Sequence, residues 1–275
     1  MKNIFKLSLT LIAITLSFTA LVPLTSVSAA QKTVTVGIVG TSEQDLWKSV
    51  AKTAKKDAGI TVKTKVFTDY NTPNKALVDG SLDLNAFQHA NFLNNWNKSN
   101  NNQLQAIGKT YLTPMRVYAN DIHAVKDLKA HAQIAIPNDP TNEGRALTLL
   151  QTAGIIKLKK SALPTLKDVK ENKLQIKFKE IAADQTPSAL KSVDAAIINA
   201  NYAQEAHLSP KKAIYVEPIN KASKQWINII VANKKQAKNK AYQAVVQAYQ
   251  TKKTEKYFKT TWGDTQLPAW NIKLK

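Results

Sequence analysis

Between residues 33 and 67 the chain switches between two hydrophobic periods. Thr33-Val34-Thr35-Val36-Gly37-Ile38-Val39-Gly40 is a β-branched run closed by glycine, as a buried strand should be. Trp47, Val50, Ala51, Ala54 and Ala58 then recur on one helical face, with Gly59 as a natural stop. Thr41 and Gln44 stand ahead of that face at capping-box spacing. Residues 60–67 are the next strand, so the pattern predicts a strand–helix–strand unit and with it a parallel sheet.

The alternation continues along the chain. A short helix over residues 74–79, closed by Gly80, leads into Leu82-Asp83-Leu84-Asn85-Ala86 as a strand. Gln133-Ile134-Ala135-Ile136 opens a second series, followed by a helix over 142–153 that Gly154 stops. Further strands are predicted over 174–181, 194–198 and Trp226-Ile227-Asn228-Ile229-Ile230-Val231, and helices over 235–249 and 252–258. No internal repeat or low-complexity linker interrupts them. An α/β fold around two sheets fits 275 residues, and the cleft between the sheets is the expected ligand site.

The amino terminus follows a different pattern. Lys2 and Lys6 form a short basic region, and no acid occurs before Glu43. Residues 7–22 are apolar with a few hydroxyls, then Pro23 breaks the run. Val27-Ser28-Ala29-Ala30-Gln31 supplies small residues for signal peptidase, with cleavage after Ala29 or Ala30. The run is short for a spanning helix. Residues 1–30 are therefore expected to be a signal peptide, and the mature protein to work outside the cytoplasmic membrane, on its outer face or in the cell envelope.

Composition narrows the chemistry. The chain has no cysteine, which removes disulfides, thiolate metal sites and a cysteine nucleophile. With four histidines and no thiol, neither a metal centre nor a cofactor is expected. The formal net charge is +20, but the lysines are dispersed and no aromatic-basic motif stacks bases, so nucleic acid is not expected as a partner. The charge leaves a solvated basic surface, or electrostatic contact with an anionic wall or membrane surface. His89 could be drawn as an acid–base pair with Asp69 or Asp83. No serine lies in a nucleophile elbow and no metal spacing occurs, so an enzyme is not expected.

Several short segments are candidates for the cleft. Phe67-Thr68-Asp69-Tyr70 ends a strand, where α/β sheets face their ligands. Asn85-Ala86-Phe87-Gln88-His89-Ala90-Asn91-Phe92 gathers two aromatics and an imidazole that could clamp an apolar side chain. The plainer reading makes Phe87 and Phe92 core residues and His89 a satisfied surface histidine. Ile136-Pro137-Asn138-Asp139-Pro140-Thr141-Asn142-Glu143-Gly144-Arg145 runs from a strand through a polar turn into a helix. Free N–H groups there, with Arg145 in the first turn, could hold a carboxylate bidentately; alone, such an arginine is more often solvated. Asn199 and Asn201 follow an apolar strand, and Asn228 sits inside one, where its amide needs a partner.

Together these segments, with Pro114-Met115, Gly144-Arg145-Ala146-Leu147, Asp194-Ala195-Ala196-Ile197-Ile198-Asn199 and Asn228-Ile229-Ile230-Val231, closely resemble the methionine-binding substrate-binding lipoproteins of ABC importers. The likeness is colinear from about residue 33 to 260, and its most specific part is Ile136-Pro137-Asn138-Asp139-Pro140-Thr141-Asn142. It implies an α/β, two-lobed, type II-like periplasmic-binding-protein fold, each lobe a mainly parallel sheet flanked by helices, with ligand in the inter-lobe cleft. Residues 31–113 and 226–275 would form one lobe and 114–225 the other. The ligand would be a free amino acid, foremost L-methionine, delivered to an ABC importer permease. Tyr70, Phe87, His89 and Phe92 would enclose the thioether; Arg145 with Asn142 would hold the α-carboxylate. Asn199 and Asn228 would bond the ammonium and carboxylate ends.

A receptor for another amino acid or a methionine-containing peptide, or a cationic wall-associated adhesion protein, are the alternatives. A closing receptor of this kind needs no second subunit, so a monomer is expected. One departure stands out: the lipobox cysteine common in the family is missing, so a lipid anchor at that position is not expected. Glu143, beside Arg145, would weaken binding of an anionic group if it pointed inward and favour the helix start if it pointed outward.

Overall fold

The computed structural model describes residues 32–275, and the expected signal peptide lies outside the described residues. Among the described residues no helix is long and apolar enough to cross a membrane. The first strands are β1 (Thr33–Val39), β2 (Thr61–Phe67), β3 (Leu84–His89) and β4 (Leu104–Lys109). After them come β5 (Arg116–Ala119), β6 (Gln133–Pro137), β7 (Lys177–Ile181), β8 (Ala195–Ile198), β9 (Ala213–Val216) and β10 (Asn228–Asn233). The first four helices are α1 (Gln44–Ala58), α2 (Thr72–Val78), α3 (Ala90–Ser99) and α4 (Pro140–Thr152). The rest are α5 (Thr186–Ala189), α6 (Ala200–Glu205), α7 (Lys240–Tyr249) and α8 (Lys252–Thr261).

These strands build two five-stranded sheets, ordered β2-β1-β3-β10-β4 and β7-β6-β8-β5-β9. As the alternating pattern predicts, β1 is parallel to β2 and β3, and β6 is parallel to β7 and β8. The strands that enter from the other sheet pair differently. β10 is antiparallel to β3 and β4, and β5 is antiparallel to β8 and β9, so both sheets are mixed. A parallel neighbour needs a long crossover connection, and neither β5 nor β10 arrives by way of a helix packed on its own sheet. The chain thus crosses between sheets twice, after β4 and after β9.

Each sheet has its own core. Val34, Val36 and Ile38 of β1 pack with Leu46, Trp47 and Val50 of α1 and Tyr242, Val245 and Tyr249 of α7. Ile134 and Ile136 of β6 pack with Leu147 and Leu150 of α4 and Ile197 of β8. Burial of each such side chain contributes about 1.5–3 kcal/mol, which is why these runs dominate the pattern. The polar helix α3, with only Leu93 buried, and the largely exposed edge strand β4 carry little of that signal, and hydrophobic periodicity does not reveal them.

Several helix starts differ from expectation. Helix α7 begins at Lys240 rather than 235, because Asn239 caps it by accepting from the Ala241 N–H, and residues 234–236 form a separate turn. The capping box from Thr41 to Gln44 does not form: α1 begins at Gln44 behind Glu43, and the Thr41 hydroxyl donates instead to Glu205 at 2.9 Å. Helix α4 begins earlier than its apolar pattern, because Asp139 caps it by accepting from the Asn142 N–H at 3.0 Å.

Glu43 is buried under α1 and accepts a short hydrogen bond from the Tyr111 hydroxyl. Burial raises its carboxyl to about 7, although the bond from Tyr111 pulls the other way. Folded protein therefore keeps a proton that the unfolded chain gives up at ordinary carboxylate pH. This contribution to stability is full below about pH 4.5 and lost as pH rises through 7, a swing of roughly 3 kcal/mol. Denaturant titrations of Glu43→Gln should lack this fall and leave the variant more stable than wild type at pH 8. Parallel pH profiles for the two proteins would mean that Glu43 does not hold this proton.

Candidate functional site

The carboxyl ends of β3 and β6, the start of α4, and the turn into α6 surround a cavity of about 460 Å³, counting its open mouth. Tyr70, Phe87, His89, Phe92, Asn142, Arg145, Asn199 and Asn228 all line it. The eight residues singled out from sequence thus meet at one place, although Tyr70 and Asn228 lie far apart along the chain. Gln88, Tyr111, Thr113, Met115 and Asn201 line it too.

One end of the cavity is aromatic. Tyr70 and Phe87 have ring centroids 5.8 Å apart, and Phe92 stands edge-on to Phe87 at 5.8 Å. Behind them Gln88 is locked in a buried amide cluster: its Nε2 donates to Asn74 Oδ1 at 2.6 Å and to Asn85 Oδ1 at 2.9 Å. That cluster fixes the end of β3 and so the direction of Phe87 and His89. His89 ends the strand and caps α3, its Nδ1 accepting from the Phe92 N–H at 3.0 Å. The proton is therefore on Nε2, which faces Asn142 Oδ1 at 3.4 Å. Burial, then the nearby Arg145 charge, depress the imidazole pKa to about 3, so His89 is a neutral wall residue.

The other end is polar and centres on Arg145, 4% exposed. Its Nε donates to Glu217 Oε1 at 2.9 Å, and one Nη donates to Glu217 Oε2 at 2.5 Å and to the Thr113 carbonyl at 2.9 Å. Glu217 is itself held by the Met115 N–H at 3.0 Å. The Trp226 ring lies 4.8 Å from the guanidinium and also meets His89 edge-on at 5.0 Å. The bidentate edge of Arg145 is thus already used by Glu217, and only the remaining Nη1 donors are left for a ligand. Sequence reasoning did not single out Glu217, Thr113 or Trp226 as partners of Arg145; only Pro114-Met115 marked their neighbourhood.

Amides connect the two ends. Asn142 donates to Asp139 at 2.9 Å and accepts from Asn199 Nδ2 at 2.9 Å, so both its atoms are engaged within the protein. Of the helix-start N–H groups expected to be open near Arg145, that of Asn142 donates to the Asp139 carboxylate and that of Glu143 to the Asp139 carbonyl. Asn199 Oδ1 and Asn201 Nδ2 are buried without a hydrogen-bond partner. Asn201 Oδ1 accepts from the Tyr70 hydroxyl at 2.5 Å, and burial keeps that phenol protonated. Asn228 is 8% exposed, and its side-chain amide has no protein partner among the described residues.

The acids raised by sequence are placed elsewhere. Glu143 is not in the cavity lining; its Oε1 accepts from the Leu166 N–H at 3.1 Å, and burial raises its carboxyl above the ordinary value. Asp69 is spent on the turn into α2, accepting from the Asn71 and Thr72 N–H groups. Asp83 accepts from the Thr35 N–H and the Tyr242 hydroxyl. Neither is positioned by these bonds as a partner for His89.

Residues 34–270 match the family described as NlpA lipoprotein. The D-methionine-binding lipoprotein MetQ of Escherichia coli is 39% identical over 221 residues, covering 78% of this chain and 80% of that one. The substrate-binding protein of a methionine transporter from Streptococcus pneumoniae superposes with a TM-score of 0.83 at 43% identity, covering 88% of this chain and 97% of the other. A nutrient-binding protein from Burkholderia cenocepacia, solved bound to methionine, superposes with a TM-score of 0.82 at 38% identity, covering 86% and 99%. The two mixed α/β sheets are those of a two-lobed substrate-binding protein, and the chain belongs to the NlpA lipoprotein family.

Proposed function

We propose that the cavity captures a free amino acid, foremost L-methionine, and that the protein hands it to the permease of an ABC importer. The observation that carries this reading is the pairing of an aromatic wall with a polar end whose buried amide atoms lack partners. A zwitterion supplies what they need. Asn199 Oδ1 is an acceptor for the ammonium; Arg145 Nη1, with the Asn201 and Asn228 amides, offers donors for the carboxylate. Tyr70, Phe87, His89 and Phe92 give a polarizable thioether aromatic edges and faces to rest on. Asn142 acts through Asn199 and His89 rather than on the ligand. Glu217 cancels the Arg145 charge and His89 is neutral, so a ligand without net charge matches the site better than an anion. The relatives' names support methionine as the ligand: the Escherichia coli relative is named for D-methionine, and the descriptions of the other two say methionine alone.

In this reading residues 31–113 with 226–275 form one lobe and 114–225 the other, and the exported protein works as a monomer. The relatives are named as lipoproteins, whereas this sequence has no cysteine to acylate. Residues 31–275 carry a net charge of +18, since residues 1–30 hold two lysines and no acid, and this provides another means of retention, by contact with anionic envelope polymers. High salt should then release the protein from intact cells; a fraction that stays bound in 1 M salt would count against charge as the tether.

Isothermal titration of refolded residues 31–275 against L- and D-methionine and the other amino acids tests the ligand. L-methionine should bind at micromolar or tighter Kd, roughly −8 kcal/mol. Arg145→Ala should weaken it by at least about 100-fold, close to 3 kcal/mol, and an unchanged Kd would remove Arg145 from the carboxylate site. His89 gives an independent check. With its pKa lowered to about 3, its imidazole NMR resonances should stay flat from pH 8 to 5. A titration inside that range would contradict the sealed, neutral wall.

A further inference from the structure

The turn after β1 and the end of α6 belong to different sheets, yet one side chain joins them. Glu205 Oε1 accepts from the backbone N–H of Thr41 at 2.7 Å and of Ser42 at 2.6 Å, and Oε2 accepts from the Thr41 hydroxyl at 2.9 Å. These groups lie just ahead of α1, so the carboxylate also sits at the positive end of a 15-residue helix dipole. Gly40 makes the approach feasible. Its φ is +79°, and a Cβ there would come within 3.0 Å of the Glu205 carboxyl group. In a chain of 39 basic residues, Glu205 makes no ion pair among the described residues. Its charge is directed to backbone donors across the cleft instead.

The position of Glu205 gives this contact a consequence for binding. Helix α6 is six residues long, begins at the cavity with Asn199, Ala200 and Asn201, and ends at Glu205. Its middle residue Tyr202 donates from its hydroxyl to the Thr68 carbonyl of the opposite sheet at 3.1 Å. A short rigid element thus carries ligand-facing amides at one end and the cross-cleft carboxylate at the other, about 9 Å away. Glu205 does not line the cavity.

We propose that Glu205 is a positioning residue that latches the two sheets together over a bound ligand, and so sets how slowly the ligand leaves. The proposal rests on the amino-acid-capture reading. Charge-assisted bonds to N–H groups are the stronger kind, and these can form only while α6 and the α1 turn are together. Losing them lowers the share of closed protein, and apparent affinity falls in proportion to that share.

The test uses mature protein with Trp fluorescence as the reporter, since Trp226 touches both Arg145 and His89. Stopped-flow mixing with L-methionine should show release from Glu205→Ala about tenfold faster than wild type, with association within about twofold. Glu205→Asp should recover part of the loss. Thr41→Val should speed release by less, and its effect should largely vanish in the Glu205→Ala background, a coupling that general destabilisation would not produce. Unchanged release in Glu205→Ala, with wild type binding normally, overturns the latch. If wild type binds no amino acid, the ligand reading fails and the latch is judged separately. The chain lacks cysteine, so spin labels at Lys56→Cys and Lys191→Cys report the inter-sheet distance directly. Glu205→Ala should lengthen that distance, and an unchanged distribution overturns the proposal.

Discussion

Arg145 carries a full charge at a depth where water hardly reaches it. An unpaired guanidinium in that position would be strongly unfavourable, and removing one partner of a buried pair typically costs about 3–5 kcal/mol. The surrounding structure can be read as the solution to that constraint. Glu217 supplies the counter-charge, the Thr113 carbonyl takes a further donor, and Trp226 covers the face of the group. Because Thr113 precedes the second sheet and Trp226 precedes β10, the chain passes Arg145 at both of its crossings between sheets. The cation is thereby held at the junction rather than within either core.

The same junction explains why so many polar side chains survive in the interior. Buried amides are tolerated where each atom has a partner, and Asn74, Asn85 and Gln88 satisfy one another behind the cavity. At the cavity surface the accounting is left incomplete at Asn199 Oδ1 and Asn201 Nδ2. The contrast separates scaffold from site more cleanly than burial does. Contacts such as Tyr70 with Asn201 and His89 with Asn142 both shape the cavity and join the sheets, so recognition and closure share residues.

The long hydrophobic runs were legible because their information is local. β1, α1, β6 and β8 announce themselves by period alone; the segments around Tyr70, Phe87, His89, Asn142, Arg145 and Asn199 were marked by following apolar strands, and Asn228 by its amide inside one. Helix α3 and strand β4 were not legible, since their exposed, polar residues carry no period that burial would impose. The capping box at Thr41 failed for a different reason. Its hydroxyl had a better acceptor in Glu205, 164 residues away, which local spacing cannot register.

Local pattern was enough for the alternation of strands and helices, the family likeness, and eight of the residues that line the cavity. Those follow from periodicity and from short contiguous motifs. The tertiary structure alone decided what each residue does there. It paired Arg145 with Glu217, 72 residues on, and so used the edge of the guanidinium that the motif suggested for a ligand. It turned Glu143 toward Leu166, saturated Asn142, and left Asn199 and Asn201 each with one free atom. Hydrogen-bond partners and protonation depend on groups brought together from distant parts of the chain, and no local pattern of polar and apolar residues encodes that choice.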